Sequence, residues 1–165
     1  MQKNSSQLGF LFIKPSNFSP FSYLEILRFS LSQALVHFYP LAGQLGTVPN
    51  HADHCCIHVD CSKGPGARLI HASAHNLTML QVLRPNLDVP KVVRSFFDLV
   101  EVRINHDSHT RPLLSVQVTE IHDGVFLGVG FNHSIVDGIS TFHFSTSVVS
   151  YFYGNAIVFD SSATR

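Results

Sequence analysis

Asn132-His133-Ser134-Ile135-Val136-Asp137-Gly138 is the stretch whose residue types and spacing could do chemistry. Histidine is the side chain whose ordinary titration spans neutral pH, which general acid–base work requires. His133 follows an apolar run over residues 125–131 and precedes a segment that reads as helix. A strand end is a rigid platform from which a side chain can be aimed into a cleft. Asp137, four residues on, could orient the loop or the ring. The spacing itself carries little. Eleven His and eight Asp in 165 residues give about 0.5 chance matches to His-x-x-x-Asp, and about 0.03 once Gly must follow. On spacing alone an ordinary satisfied histidine is the favoured reading.

The elements that must position this stretch can be read from periodicity. Residues 125–131 are apolar throughout, which predicts a strand at the centre of its sheet, and Asp123-Gly124 before them is a hairpin signal. Leu114, Val116 and Val118 alternate with Ser115, Gln117 and Thr119, a strand with one polar face. Residues 9–13, 57–61 and 67–72 read as further strands, and residues 76–82 as a short helix. Leu24, Leu27, Leu31, Leu35 and Phe38 recur at helical spacing up to Pro40. Ser22 and Glu25 have the spacing of a capping box at that helix's start, with Phe21 and Ile26 as its hydrophobic staple. A second long helix is expected over residues 139–151. Strands and helices mix without a regular βαβ rhythm, so the class is α/β or α+β around one sheet.

Composition excludes several classes. Apolar residues make up 45% and charged residues 13% with a balance of zero, so there is no basic footprint for nucleic acid or an anionic membrane. Cys55, Cys56 and Cys61 are crowded and odd in number, unlike a secreted disulfide scaffold. No signal core or membrane-length run stands out, so a cytoplasmic location is expected. His51, His54, Cys55, Cys56, His58 and Cys61 invite a zinc reading, yet their spacing fits no common template, and no metal is expected. His71 and His75 read as surface residues, His106 and His109 as solvated loop residues. No Gly-x-Ser-x-Gly elbow is present.

Several ordered blocks carry a resemblance. Asn132-His133-Ser134-Ile135-Val136-Asp137-Gly138, with Ser140 and Phe142 behind it, resembles the His-x-x-x-Asp-Gly signature of the plant BAHD-type, acyl-CoA-dependent acyltransferases. Leu31-Ser32-Gln33-Ala34-Leu35-Val36-His37-Phe38-Tyr39-Pro40-Leu41-Ala42-Gly43 is similar to that family's helix and following Tyr-Pro-Leu-Ala-Gly turn. Val59-Asp60-Cys61, Gly64-Pro65-Gly66-Ala67-Arg68, Ser95-Phe96-Phe97 and Pro112-Leu113-Leu114-Ser115-Val116-Gln117-Val118-Thr119-Glu120 follow in the family's order. The resemblance covers about residues 9–147.

The resemblance implies a chloramphenicol-acetyltransferase-like two-layer α/β (α+β) domain with a mixed sheet, here incomplete. Residues 1–147 would be a partial amino-terminal domain and 148–165 a tail unlike the family. The carboxy-terminal domain would be absent, since the chain has no Trp and so lacks the family's Asp-Phe-Gly-Trp-Gly motif. Gln44 stands where the family commonly has Arg. The implied reaction moves an acyl group from acyl-CoA, a co-substrate rather than a bound cofactor, to an alcohol or amine of a small plant metabolite. His133 would be the base, Asp137 would support the loop by pairing with an arginine from the other half, and Gly138 would permit the tight turn. Full-length relatives would be monomeric and would bind neither nucleic acid nor membrane. The rival reading is a catalytically inactive fragment serving only in binding or interaction.

Overall fold

The computed structural model describes residues 5–14, 18–50, 54–62, 64–83, 90–98 and 111–161. In chain order the elements are β1 (Ser5–Ile13), α1 (Pro20–His37), β2 (Gln44–Asn50), β3 (His54–Asp60), β4 (Arg68–Ala74), α2 (Met79–Leu83), β5 (Leu114–Ile121), β6 (Gly124–Asn132) and α3 (Gly138–Ser161). Two 3-10 turns, Tyr39–Ala42 and Lys91–Phe96, join them.

An apolar strand must be covered on both faces, and β6 is. All nine of its residues are buried, and it lies between β1 and β5 in a sheet ordered β1-β6-β5-β4. Both neighbours run antiparallel to it, while β4 runs parallel to β5, so the sheet is mixed. Val125, Leu127, Val129 and Phe131 share one face with Leu114, Val116 and Val118, against Leu27, Leu31 and Ala34 of α1 and Phe144 and Val148 of α3. Burying each of the Val, Leu and Phe side chains among them contributes about 1.5–3 kcal/mol. Phe126 points the other way, into a smaller cluster with Val82, Val93, Phe96 and Ile121.

The polar face expected of β5 is present but not solvated. Ser115, Gln117 and Thr119 are buried because the Lys91–Phe96 turn and Asp98 cross over them. Gln117 Nε2 donates to the Ser95 carbonyl at 2.9 Å, and the Ser115 hydroxyl donates to Asp98 at 3.0 Å. Gly128 makes the crossing possible. A Cβ there would sit 2.2 Å from the Phe96 carbonyl oxygen.

Four expectations are corrected. The first helix begins at Pro20, two residues before the expected capping box. Proline at the first position fixes the helical φ and lacks the N–H a cap would satisfy. Ser22 is therefore already inside α1, Phe21 is exposed rather than stapled, and Glu25 instead pairs with Arg28 at 2.8 Å. Second, the short helix starts at Met79, with Gln81 Oε1 accepting the Thr78 N–H. Third, β3 pairs with an unexpected partner, β2, whose Gly46 and Pro49 hid its strand character. Fourth, α3 runs to Ser161 instead of ending at Tyr151. The expected boundary after Ser147 thus falls inside a continuous helix. Val148 and Phe152 beyond it sit in the core, with the Phe152 ring 4.6 Å from that of Tyr23.

Candidate active site

Burial stops abruptly at the end of β6. Asn132, its last residue, is 4% exposed, while His133 and Ser134 are exposed. Asn132 donates its backbone N–H to the Leu113 carbonyl at 2.9 Å, which ties the strand end to β5. Its side-chain Oδ1 accepts the Ser134 N–H at 3.0 Å, and its carbonyl accepts the Ile135 N–H at 3.3 Å. His133 is thus carried over a tight turn closed twice by one buried residue. Ile135 and Val136 then pack back on the main core.

Asp137 caps α3. Its Oδ1 accepts the Ser140 N–H at 2.7 Å, and its carbonyl accepts both the Thr141 N–H at 3.0 Å and the Thr141 hydroxyl at 2.8 Å. The backbone N–H of Ser140, and then its side chain, hold the Asp137 carboxyl below its ordinary range. A carboxylate at this capping position also faces the positive end of the helix dipole. The sequence places His133 and Asp137 together, and the structure puts both on one loop, with the Asp137 side chain committed to the start of α3. Among the described residues no hydrogen bond joins them, and Asp137 takes part in no ion pair. Gly138 is the first residue of α3, and its φ is not in the left-handed region. A Cβ built there meets nothing within 4 Å, so the turn itself does not require glycine at this position.

Elsewhere the expectations divide. His71 is not a free surface residue. Its Nε2 lies 2.6 Å from Glu120 Oε1, and Glu120 is also bridged by Lys14 Nζ at 3.3 Å. A parallel partner 49 residues away leaves no local signal in the sequence. His75 is exposed, as are the free thiols Cys56 and Cys61. Residues 51–53, 106 and 109, and the side chains of His54 and Cys55, lie outside the described residues. Among those described, no group of three or more His, Cys, Asp or Glu could hold a metal ion. Among them, too, no helix is long and apolar enough to cross a membrane. Asn132 carries no signal in the sequence that marks its part in the turn.

A family model described as the Transferase family matches residues 3–156. The chain belongs to the BAHD acyltransferases. This BAHD chain is 41% identical over 140 residues to an uncharacterized acetyltransferase of Arabidopsis thaliana, covering 84% of the chain and 31% of that protein. It is 32% identical over 126 residues to the BAHD acyltransferase DCR of the same plant, covering 75% of the chain and 25% of the relative. A hydroxycinnamoyltransferase of Narcissus pseudonarcissus is 30% identical over 140 residues, covering 84% of the chain and 30% of that protein. The chain therefore spans between a quarter and a third of the length of these relatives. Among solved structures, TRI101 of F. sporotrichioides, complexed with coenzyme A and T-2, superposes with a TM-score of 0.65 at 15% identity. That match covers 92% of the BAHD chain and 35% of TRI101. The fold is chloramphenicol-acetyltransferase-like, two-layered and α+β, as the sequence implied.

Proposed function

We propose that this chain supplies the base-bearing part of an acyltransferase that moves an acyl group from acyl-CoA to an alcohol or amine of a small plant metabolite. The observation that carries this is an exposed His133 held just beyond a buried strand end, between the Asn132 turn and the Asp137 helix cap. An alcohol is a poor nucleophile unless its proton leaves during attack. An imidazole nitrogen of His133 takes that proton as the acceptor oxygen or nitrogen bonds to the thioester carbonyl carbon. The tetrahedral intermediate collapses, the C–S bond breaks, and the imidazolium returns the proton to the departing CoA sulfur. Asp137 supports the loop by capping α3. Acyl-CoA enters as a co-substrate, and a monomeric, cytoplasmic enzyme completes the reading.

The test is thiol release from acetyl-CoA and a hydroxycinnamoyl-CoA against a panel of alcohols and amines. It is run on the 165-residue chain and on the same chain joined in frame to the remaining length of the 41%-identical Arabidopsis relative. The joined enzyme is expected to release CoA only with acceptor present, and the chain by itself to turn over little. His133→Ala should cost about 10²–10⁴-fold in kcat. Acceptor-dependent release that survives His133→Ala unchanged would sink the assignment of the base. A joined enzyme that is folded yet inert with every acceptor would favour the interaction-fragment reading.

A further inference from the structure

The histidine at a strand end is only as useful as its aim, and one neighbour controls that aim. We infer that Asn132 is a positioning residue for His133, acting through an Asx turn that fixes the backbone on both sides of the ring. This rests on the reading of His133 as the base.

Asn132 bonds forward twice across His133, through its side chain to the Ser134 N–H and through its carbonyl to the Ile135 N–H. An asparagine side-chain oxygen two residues ahead of an N–H mimics a backbone carbonyl and closes a turn that the backbone alone closes less tightly. Asn132 is itself immobilised, because it is buried and its own N–H is tied to Leu113. The turn is therefore referenced to the rigid sheet, whereas His133 faces solvent. The Ser134 residue is exposed. Water can satisfy its N–H when Oδ1 is removed, so losing the Asx bond frees the His133 backbone without stranding a buried donor.

The experiment is NMR on the full 165-residue chain, with the His133 ring signal assigned by its loss in His133→Gln. Asn132→Leu keeps the volume and removes the acceptor, Asn132→Ala removes both, and Asn132→Asp keeps the acceptor. The chain and Asn132→Asp are expected to show one sharp His133 ring signal and a protected Ser134 amide. Asn132→Leu and Asn132→Ala should split or broaden the ring signal and speed Ser134 exchange about tenfold or more. Amides of β6 should keep their protection in the variants. If Asn132→Leu does not fold, the contrast between Asn132→Ala and Asn132→Asp decides the matter. In the joined enzyme, Asn132→Leu should lower kcat about 10–100-fold with KM unchanged, the scale of a small misplacement of a reacting group. Asn132→Asp should restore most of it. An unchanged ring signal and unchanged Ser134 exchange in a folded Asn132→Leu or Asn132→Ala chain overturns the inference. That failure is distinct from failure of the base assignment, which is read from His133→Ala alone.

Discussion

At one end of the sheet His133 stands in solvent on a turn set by Asn132, whereas at the other end His71 leans on the buried carboxylate of Glu120. Leu114 pairs with Phe131 near the first histidine and Glu120 with Val125 near the second, so the two sites are about 20 Å apart along the strands. At the Glu120 end side chains close on one another. His71 stands on β4, Glu120 on β5 and Lys14 just past the end of β1, so one carboxylate clips two strands and the segment that leaves a third, with Lys14 also 4.8 Å from the Phe18 ring. At the His133 end the side chain makes no such commitment among the described residues, and the order is supplied by backbone and cap. The contrast separates a histidine fixed through its ring, which ties strands together, from one whose backbone is fixed while its ring stays exposed.

Five variants would break or sharpen that contrast. His133→Ala should produce the largest effect on turnover in the joined enzyme and almost none on the urea midpoint, since an exposed ring is removed. The double variant Lys14→Met with His71→Leu should do the opposite. It strands the Glu120 carboxylate, whose side chain is 6% exposed, and should lower unfolding free energy by about 3 kcal/mol while leaving Ser134 amide exchange untouched. Lys14→Met alone should cost only about 1 kcal/mol, because His71 remains.

Asp137→Ala comes next, with a smaller drop in thermal midpoint and a definite pH signature. The carboxyl ordinarily titrates at 3.8 and is held lower in the folded chain, chiefly by the Ser140 N–H. A group depressed in this way stabilises the fold above its unfolded titration, and that support fades as pH falls through the folded value. The midpoint gap between the chain and Asp137→Ala should therefore be steady from pH 7 to about 5 and narrow in more acid solution. A gap that widens in acid would contradict the cap. Smallest of all is Ser145→Ala. Among the described residues the buried Ser145 hydroxyl has no hydrogen-bond partner, so its removal should be neutral or stabilise by up to about 1 kcal/mol, read by urea denaturation.

Legibility in the sequence followed how local the cause was. The unbroken apolar run of β6 announced a central strand, and the leucine spacing of α1 announced its buried face, because one element's burial is written in its own period. The His133 loop was legible from its motif, but the task of Asn132 was not, since a buried asparagine and a solvated one look alike in sequence. The capping box failed because Pro20 outcompeted Ser22 for the helix start. The pairing of His71 with Glu120 and the burial of Ser115, Gln117 and Thr119 depend on segments far apart in the chain, and nothing near those residues foretells them.

The pairing of β1 with β6 joins Ser5 to Asn132 and Ile13 to Gly124, more than a hundred residues apart. A ribosome feeding out this chain would release β1 long before its partner exists. The β5–β6 hairpin has a short turn and can zip first, whereas β1 and the parallel β4 must wait for distant partners. During that interval Phe10 and Phe12 have no strand beside them, and a nascent chain is open to wrong edge pairing. Synthesis of this small domain should accordingly be more sensitive to chaperone supply than its finished, well-covered central strand would suggest.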